Sequence, residues 1–138
     1  MTAITVETTV HAPLDTVWSA WTEPEHITQW CFASDDWECP SATNDVSIGG
    51  SFSTRMAAKD GSAGFDFGGT YSAVALHEHL AYSMSDGRTV DITFTETPEG
   101  THIIETFDPE NENPEDMQRA GWQSILDNFK KHAESIAQ

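Results

Sequence analysis

Gly121-Trp122-Gln123-Ser124-Ile125-Leu126-Asp127-Asn128-Phe129-Lys130-Lys131-His132-Ala133-Glu134-Ser135-Ile136 is the stretch on which the fold turns. Trp122, Ile125, Leu126, Phe129, Ala133 and Ile136 recur at helical spacing and form one apolar stripe. A helix cannot cover its own stripe, so a second layer must supply the other side of the core. Upstream, Asp108-Pro109-Glu110-Asn111-Glu112-Asn113-Pro114-Glu115-Asp116 forms an acidic segment that suits the positive end of the helix dipole. Lys130 and Lys131 are expected near the negative end. Gly121 inside the helix costs about 1 kcal/mol relative to Ala, and marks either a close backbone approach or open space.

The second layer lies between Phe32 and Phe107, where the pattern is strand and turn. Asp60-Gly61 separates Phe52-Ser53-Thr54-Arg55-Met56 from Phe65-Asp66-Phe67, a strong hairpin signal. A two-residue loop there sets Met56 opposite Phe65, Thr54 opposite Phe67 and Arg55 opposite Asp66. Apolar residues then share one face and the charges pair on the other. Asp86-Gly87 marks a second hairpin between Leu80–Met84 and Val90–Phe94. A two-residue loop would align Val90, Ile92 and Phe94 with Ser83, Ala81 and His79. A three-residue loop with a glycine bulge aligns them with Leu80, Tyr82 and Met84 instead, and burial favours it. A third turn at Pro98-Glu99-Gly100 leads to a strand with Ile103, Glu105 and Phe107 on the face of Val90, Ile92 and Phe94.

Towards the N-terminus, Ile4, Val6, Thr8 and Val10 alternate with polar residues as in a half-buried strand. Pro13 suits a first helical position, and Leu14, Val17, Trp18 and Trp21 follow at helical spacing. Thr22 is expected to cap a second helix with Pro24 in its first turn and Ile27 and Trp30 on its apolar side. The order is strand, two short helices, five or six antiparallel strands and one long helix. The expected architecture is an α+β helix-grip fold, a curved antiparallel sheet wrapped around the long C-terminal helix. No internal repeat or linker breaks the chain, so residues 1–138 are expected to form one domain.

Composition narrows the function classes. The chain has 138 residues, with six basic against 23 acidic side chains and a formal net charge of -17. No Lys or Arg precedes Arg55. Nucleic acid and anionic membrane surfaces would be repelled, so neither is expected as a partner. Met1 to Ala12 lacks the basic and apolar regions of a secretory signal, and no apolar run approaches the ~20 residues of a membrane span. A cytoplasmic location is expected. Cys31 and Cys39 fit a reducing compartment; with His26 they match no zinc spacing, so no metal and no cofactor is expected. An exposed sheet edge leaves the expected state a monomer or weak dimer.

Val10-His11-Ala12-Pro13, Val17-Trp18, Trp21-Thr22-Glu23-Pro24-Glu25 and Trp30 resemble the opening of the SRPBCC (START/birch-allergen-like) superfamily. Gly49-Gly50-Ser51-Phe52, Gly69-Thr70-Tyr71 and Gly121-Trp122 with Leu126 and Phe129 continue the likeness. Within it, the chain resembles the branch related to the C-terminal domain of the activator of the heat shock protein 90 ATPase. Asp36-Trp37, Lys59-Asp60-Gly61 and Gly64-Phe65-Asp66-Phe67 are similar to small, uncharacterised bacterial single-domain members. The resemblance implies a deep hydrophobic cavity between sheet and long helix. It also implies a range of activities, from lipid carriers, hormone receptors and cyclase subunits to co-chaperones.

Glu105 is the most informative candidate, because its strand carboxylate shares a face with Ile103 and Phe107. Buried without a partner, it would hold its proton at higher pH and serve as a ligand anchor or a catalytic acid. The plainer alternative is a carboxylate near the rim, hydrated or paired with Arg88. Trp37, Phe52, Met56, Phe67, Tyr71, Tyr82, Phe94, Trp122 and Phe129 are either plain core or, with Glu105, the lining of an apolar pocket. Tyr71, Tyr82 and Trp122 each bring one polar group to that set. His102 belongs on the face opposite Glu105, and His77 and His79 are read on one strand face without a third ligand. Gly49-Gly50 and Gly68-Gly69 read as sheet bends or close approaches.

The expected role is binding of a small apolar or aromatic molecule. A co-chaperone-like module acting with a heat shock protein 90 type chaperone is the alternative from a different class. A third is polyketide cyclase-like or hydrolase-like acid–base chemistry by Glu105 or a tyrosine.

Overall fold

Six strands pair with their chain neighbours, and the first strand returns to pair with the last. The computed structural model describes residues 3–84 and 86–137. In chain order the elements are β1 (Ile4–Val10), α1 (Leu14–Thr22), α2 (Pro24–Trp30), β2 (Trp37–Asn44), β3 (Ser51–Ala58), β4 (Gly64–Ala75), β5 (His79–Ser83), β6 (Thr89–Thr97), β7 (Gly100–Phe107) and α3 (Glu115–Ile136). The sheet order is β1-β7-β6-β5-β4-β3-β2, antiparallel throughout. The curled sheet holds α3 on its inner side, and α3 packs on β1, α1 and α2. This is the α+β helix-grip arrangement.

The registers follow side-chain patterning. Arg55 pairs with Asp66, Met56 with Phe65 and Thr54 with Phe67, as the apolar alternation requires. The turn is looser than two residues: Ala58 and Ala63 close it, with Gly61 at φ +80°. In the β5–β6 hairpin Tyr82 faces Val90 and Leu80 faces Ile92, the alignment of the bulged turn. Met84 N–H closes it on the Arg88 carbonyl, and Gly87 sits at φ +91°. Ile103, Glu105 and Phe107 stand opposite Phe94, Ile92 and Val90. A Cβ on Gly68 would lie 2.5 Å from the Phe52 carbonyl, so that glycine does mark a close strand approach.

Three local expectations are corrected and one open alternative is settled. Thr22 ends α1, its hydroxyl bonded back to the Trp18 carbonyl at 2.8 Å, and Glu23 precedes Pro24 as the N-cap without a side-chain cap. His77 leaves the strand: it sits in the β4–β5 connection at φ 64°, its ring edge-on to Trp18, while His79 pairs with Asp91 at 2.9 Å. Lys130 lies well before the end of α3, and its ammonium binds the Thr9 carbonyl at 2.5 Å and Glu134 at 3.0 Å. A Cβ on Gly121 would meet nothing within 4 Å, which leaves the open-space reading. The acidic segment is pinned to α3 by buried Gln118, whose amide donates to the Glu110 and Asn113 carbonyls and accepts the Glu110 N–H.

The core runs from Ile4, Val6 and Val10 through Leu80, Ile92, Ile103 and Phe107 to Leu126, Phe129 and Ala133. Trp30 satisfies its buried indole N–H on the Ala20 carbonyl at 2.9 Å, fixing α2 against α1. Among the described residues, no helix is long and apolar enough to cross a membrane.

Candidate functional site

The inner face does not fill completely beneath α3. A cavity of about 270 Å3 remains between the helix and strands β3, β4, β5 and β7, near the lower end of small-molecule sites. Its floor is Phe52, Thr54 and Met56 of β3, Phe65, Phe67 and Tyr71 of β4, Tyr82 of β5 and Glu105 of β7. Trp122, Ile125 and Leu126 of α3 form the roof, and Trp21, Ile27, Trp30 and Cys31 close one end. Met84, Arg88 and Asn44 complete the wall. Phe65, 49% exposed, and half-buried Arg88 stand where the wall reaches solvent.

Seven of the ten residues singled out from the sequence therefore meet at one cavity: Phe52, Met56, Phe67, Tyr71, Tyr82, Glu105 and Trp122. Three do not, and packing explains each. Trp37 begins β2, the sheet's edge strand, opposite Ala58, and its ring lies beside Phe65 on the far side of the mouth. Phe94 is covered by the edges of Trp18 and Trp21, at centroid distances of 5.3 and 5.6 Å. Phe129 is fully buried under Trp21 and Trp30, at 4.8 and 4.9 Å. Trp21, Asn44, Cys31 and Arg88 belong to the wall without having been singled out. Trp21 carried a signal, its place on the apolar side of α1; Asn44 carried none.

Glu105 is 6% exposed, flanked by Val6 of β1 and Ile92 of β6. Among the described residues, no hydrogen bond or ion pair ends on its carboxyl. Burial alone pushes its pKa up to about 8. The pairing with Arg88 is not made; Arg88 instead binds Asp86 through Nε at 2.7 Å, at the sheet's rim. Glu105 thus brings a single carboxyl, without a protein partner, to an apolar wall.

The neighbouring groups stay protonated. Tyr82 is driven well above its ordinary pKa by burial first, and further by the neighbouring acidic groups of Glu105, Cys31 and Tyr71. Burial likewise raises the Cys31 thiol, with smaller contributions from Cys39 and Glu105. Tyr71 rises to about 12 through burial, partly offset by its hydrogen bond to Asn44. That bond runs from the Tyr71 hydroxyl to Asn44 Oδ1 at 2.7 Å, while Asn44 Nδ2 donates to the Thr22 carbonyl at 2.7 Å. Asn44 thereby ties the sheet edge to the end of α1 and holds the Tyr71 ring upright in the wall.

His102 lies on the outer face, bonded to Thr9 at 2.9 Å and near Glu7 at 3.3 Å, away from Glu105. Cys31 and Cys39 are buried free thiols. His26 turns instead to His132 of α3, Nδ1 to Nε2 at 3.0 Å.

Residues 11–134 match the family model described as Activator of Hsp90 ATPase homolog 1-like protein. Chr148 from Cytophaga hutchinsonii is 51% identical, with 96% of this chain and 92% of that one covered and a TM-score of 0.82. The AHSA1-like protein from Aeromonas hydrophila is 44% identical over 98% of this chain and 94% of its own, with a TM-score of 0.92. CV1439 from Chromobacterium violaceum shares the fold at 20% identity, with a TM-score of 0.86 over 97% of this chain and 99% of that one. None of the curated proteins matches the chain.

Proposed function

The chain belongs to the Activator of Hsp90 ATPase homolog 1-like family, and from that premise we propose that it binds a small hydrophobic or aromatic molecule in the cavity beneath α3. The observation that carries this reading is the cavity itself: about 270 Å3 walled by aromatic and aliphatic side chains, with one unpartnered carboxyl at Glu105. Mostly apolar walls with a few convergent polar groups are the usual make-up of a ligand site. Turnover, where it accompanies binding, would use Glu105 as the acid, since that carboxyl holds its proton near neutral pH.

Amide chemical-shift mapping against fatty acids, flavonoids, sterols and polyketide-like aromatics tests the reading. Saturable shifts at Tyr71, Tyr82, Glu105 and Trp122 are expected. A library that shifts nothing around the cavity sinks it.

The family's description supports a second reading, a protein-interaction module working with a heat shock protein 90 type chaperone. The two separate by mutation. A pocket predicts that Trp122→Ala weakens ligand binding more than charge removal in the Asp108–Asp116 segment. An interaction module predicts the reverse, with binding to the chaperone that weakens as salt rises.

A further inference from the structure

We infer that the cavity is built for an organic cation, a small molecule bearing a protonated amine or quaternary ammonium group seated between Glu105 and the aromatic wall. This rests on the reading of the cavity as a ligand site and names the chemistry of its occupant.

The first support is the lone carboxyl. Among the described residues Glu105 is the only acidic side chain in the wall, it is 6% exposed, and none of them pairs with it. A neutral apolar ligand would leave the buried carboxyl's polar atoms without a hydrogen-bond partner, a costly state. An anionic ligand would oppose ionisation of the carboxyl and gain no counter-charge from it. A cation supplies the missing counter-charge.

The second support is the wall. Trp30, Phe52, Phe67, Tyr71, Tyr82 and Trp122 all present rings to the cavity. Aromatic faces attract ammonium groups most strongly where water is excluded. Arg88, the one cationic wall residue among those described, stands at the rim with its Nε turned to Asp86. The third support is the field of the whole chain: a net charge of -17 raises the local concentration of cations and repels anions.

Every titratable group in the cavity wall is accounted for. Cys31, Tyr71 and Tyr82 are pushed upward by burial and stay neutral across the physiological range. Glu105 is therefore the group from which an arriving cation displaces a proton, and binding below about pH 8 must release one.

Calorimetric titration with 2-phenylethylamine, 2-phenylethanol and phenylacetate, each in two buffers of different ionisation enthalpy, tests the inference. At pH 7 the amine is expected to bind about tenfold or more tighter than the alcohol, and phenylacetate weakest. Proton release near pH 6 should accompany the amine and not the alcohol. Glu105→Gln, which replaces a buried ionisable group with a neutral one of the same shape and so is not expected to impair folding, should erase the amine's advantage. Alcohol binding as tight as amine, phenylacetate binding tightest, or an advantage that survives Glu105→Gln would each overturn the cation inference and leave the pocket standing. Failure of all three probes to bind or to shift cavity amides overturns the pocket reading together with it.

Discussion

At the end of the interior capped by α1 and α2, Trp18, Trp21, Trp30, Phe94 and Phe129 meet edge to face with centroids 4.8 to 5.6 Å apart. Under the first half of α3, Phe52, Phe67, Tyr71, Tyr82 and Trp122 also touch ring to ring, yet about 270 Å3 stays open above them. Both regions are aromatic and both lie on the same sheet. The difference is a third direction of approach. At the dry end, two short helices drive tryptophans between sheet and α3. Towards the open end α1 and α2 supply only an end wall, through Trp21, Ile27 and Trp30, and Trp122 spends its ring on a stacked contact with Phe107 at 4.0 Å. Aromatic content thus does not decide whether a region is core or cavity; the number of layers converging on it does.

The sharpest way to break this contrast is to truncate one ring from each region. Phe129→Ala should cost about 3–5 kcal/mol in urea unfolding, since the hole has walls on all sides. Phe67→Ala should cost under about 2 kcal/mol, because its ring already borders open space. Equal costs would mean that the open end is packed like the dry one.

Glu105 is next in size. Its folded pKa of about 8 lies above the ordinary 4.5, so the native state holds a proton that the unfolded chain has lost. Stability is therefore lost as pH rises from about 4.5 and the loss is complete above about 8. Glu105→Gln should stabilise the protein by roughly 3 kcal/mol at pH 7, with the gain vanishing near pH 4. A pH-independent gain would mean that the carboxyl is hydrated in the native state.

Tyr71→Phe tests the seam between the regions. It removes the hydroxyl bond to Asn44, and thermal unfolding should show a loss of about 1 kcal/mol. The smallest effect belongs outside the interior. Arg55 and Asp66 lie 3.5 Å apart with side chains 43% and 67% exposed, and a double-mutant cycle should find well under about 1 kcal/mol. A larger coupling there would make the outer face, and not the buried rings, the source of the sheet's register.

How far the sequence was legible follows the same division. The β3–β4 register, the bulged β5–β6 hairpin and the inward face of Glu105 could all be read, because period-two alternation and turn glycines are local signals. The α3 stripe was legible too, although Ile136 stays 40% exposed past the sheet's end. The sorting of aromatics was not. Phe94 and Phe67 sit in similar alternating strands, and only the landing site of Trp18 and Trp21 makes one core and the other wall. Asn44 escaped notice because its partners, Thr22 and Tyr71, lie 22 and 27 residues away. Lys130 departs from its expected place because α3 continues to Ile136, which leaves its ammonium beside the Thr9 carbonyl of β1.

The pairing of β1 with β7 sets a timetable for synthesis. Strands β2 to β7 form nearest-neighbour hairpins and can zip as they emerge, but Val6 pairs with Glu105, 99 residues further on. At ribosomal speeds of about 5–20 residues per second, β1 waits roughly 5–20 s with no strand to bind. The half-barrel therefore cannot close during translation until its carboxyl-bearing strand exists. Mutations that weaken β7 should accordingly show up as slow, aggregation-prone maturation more than as a change in the finished protein.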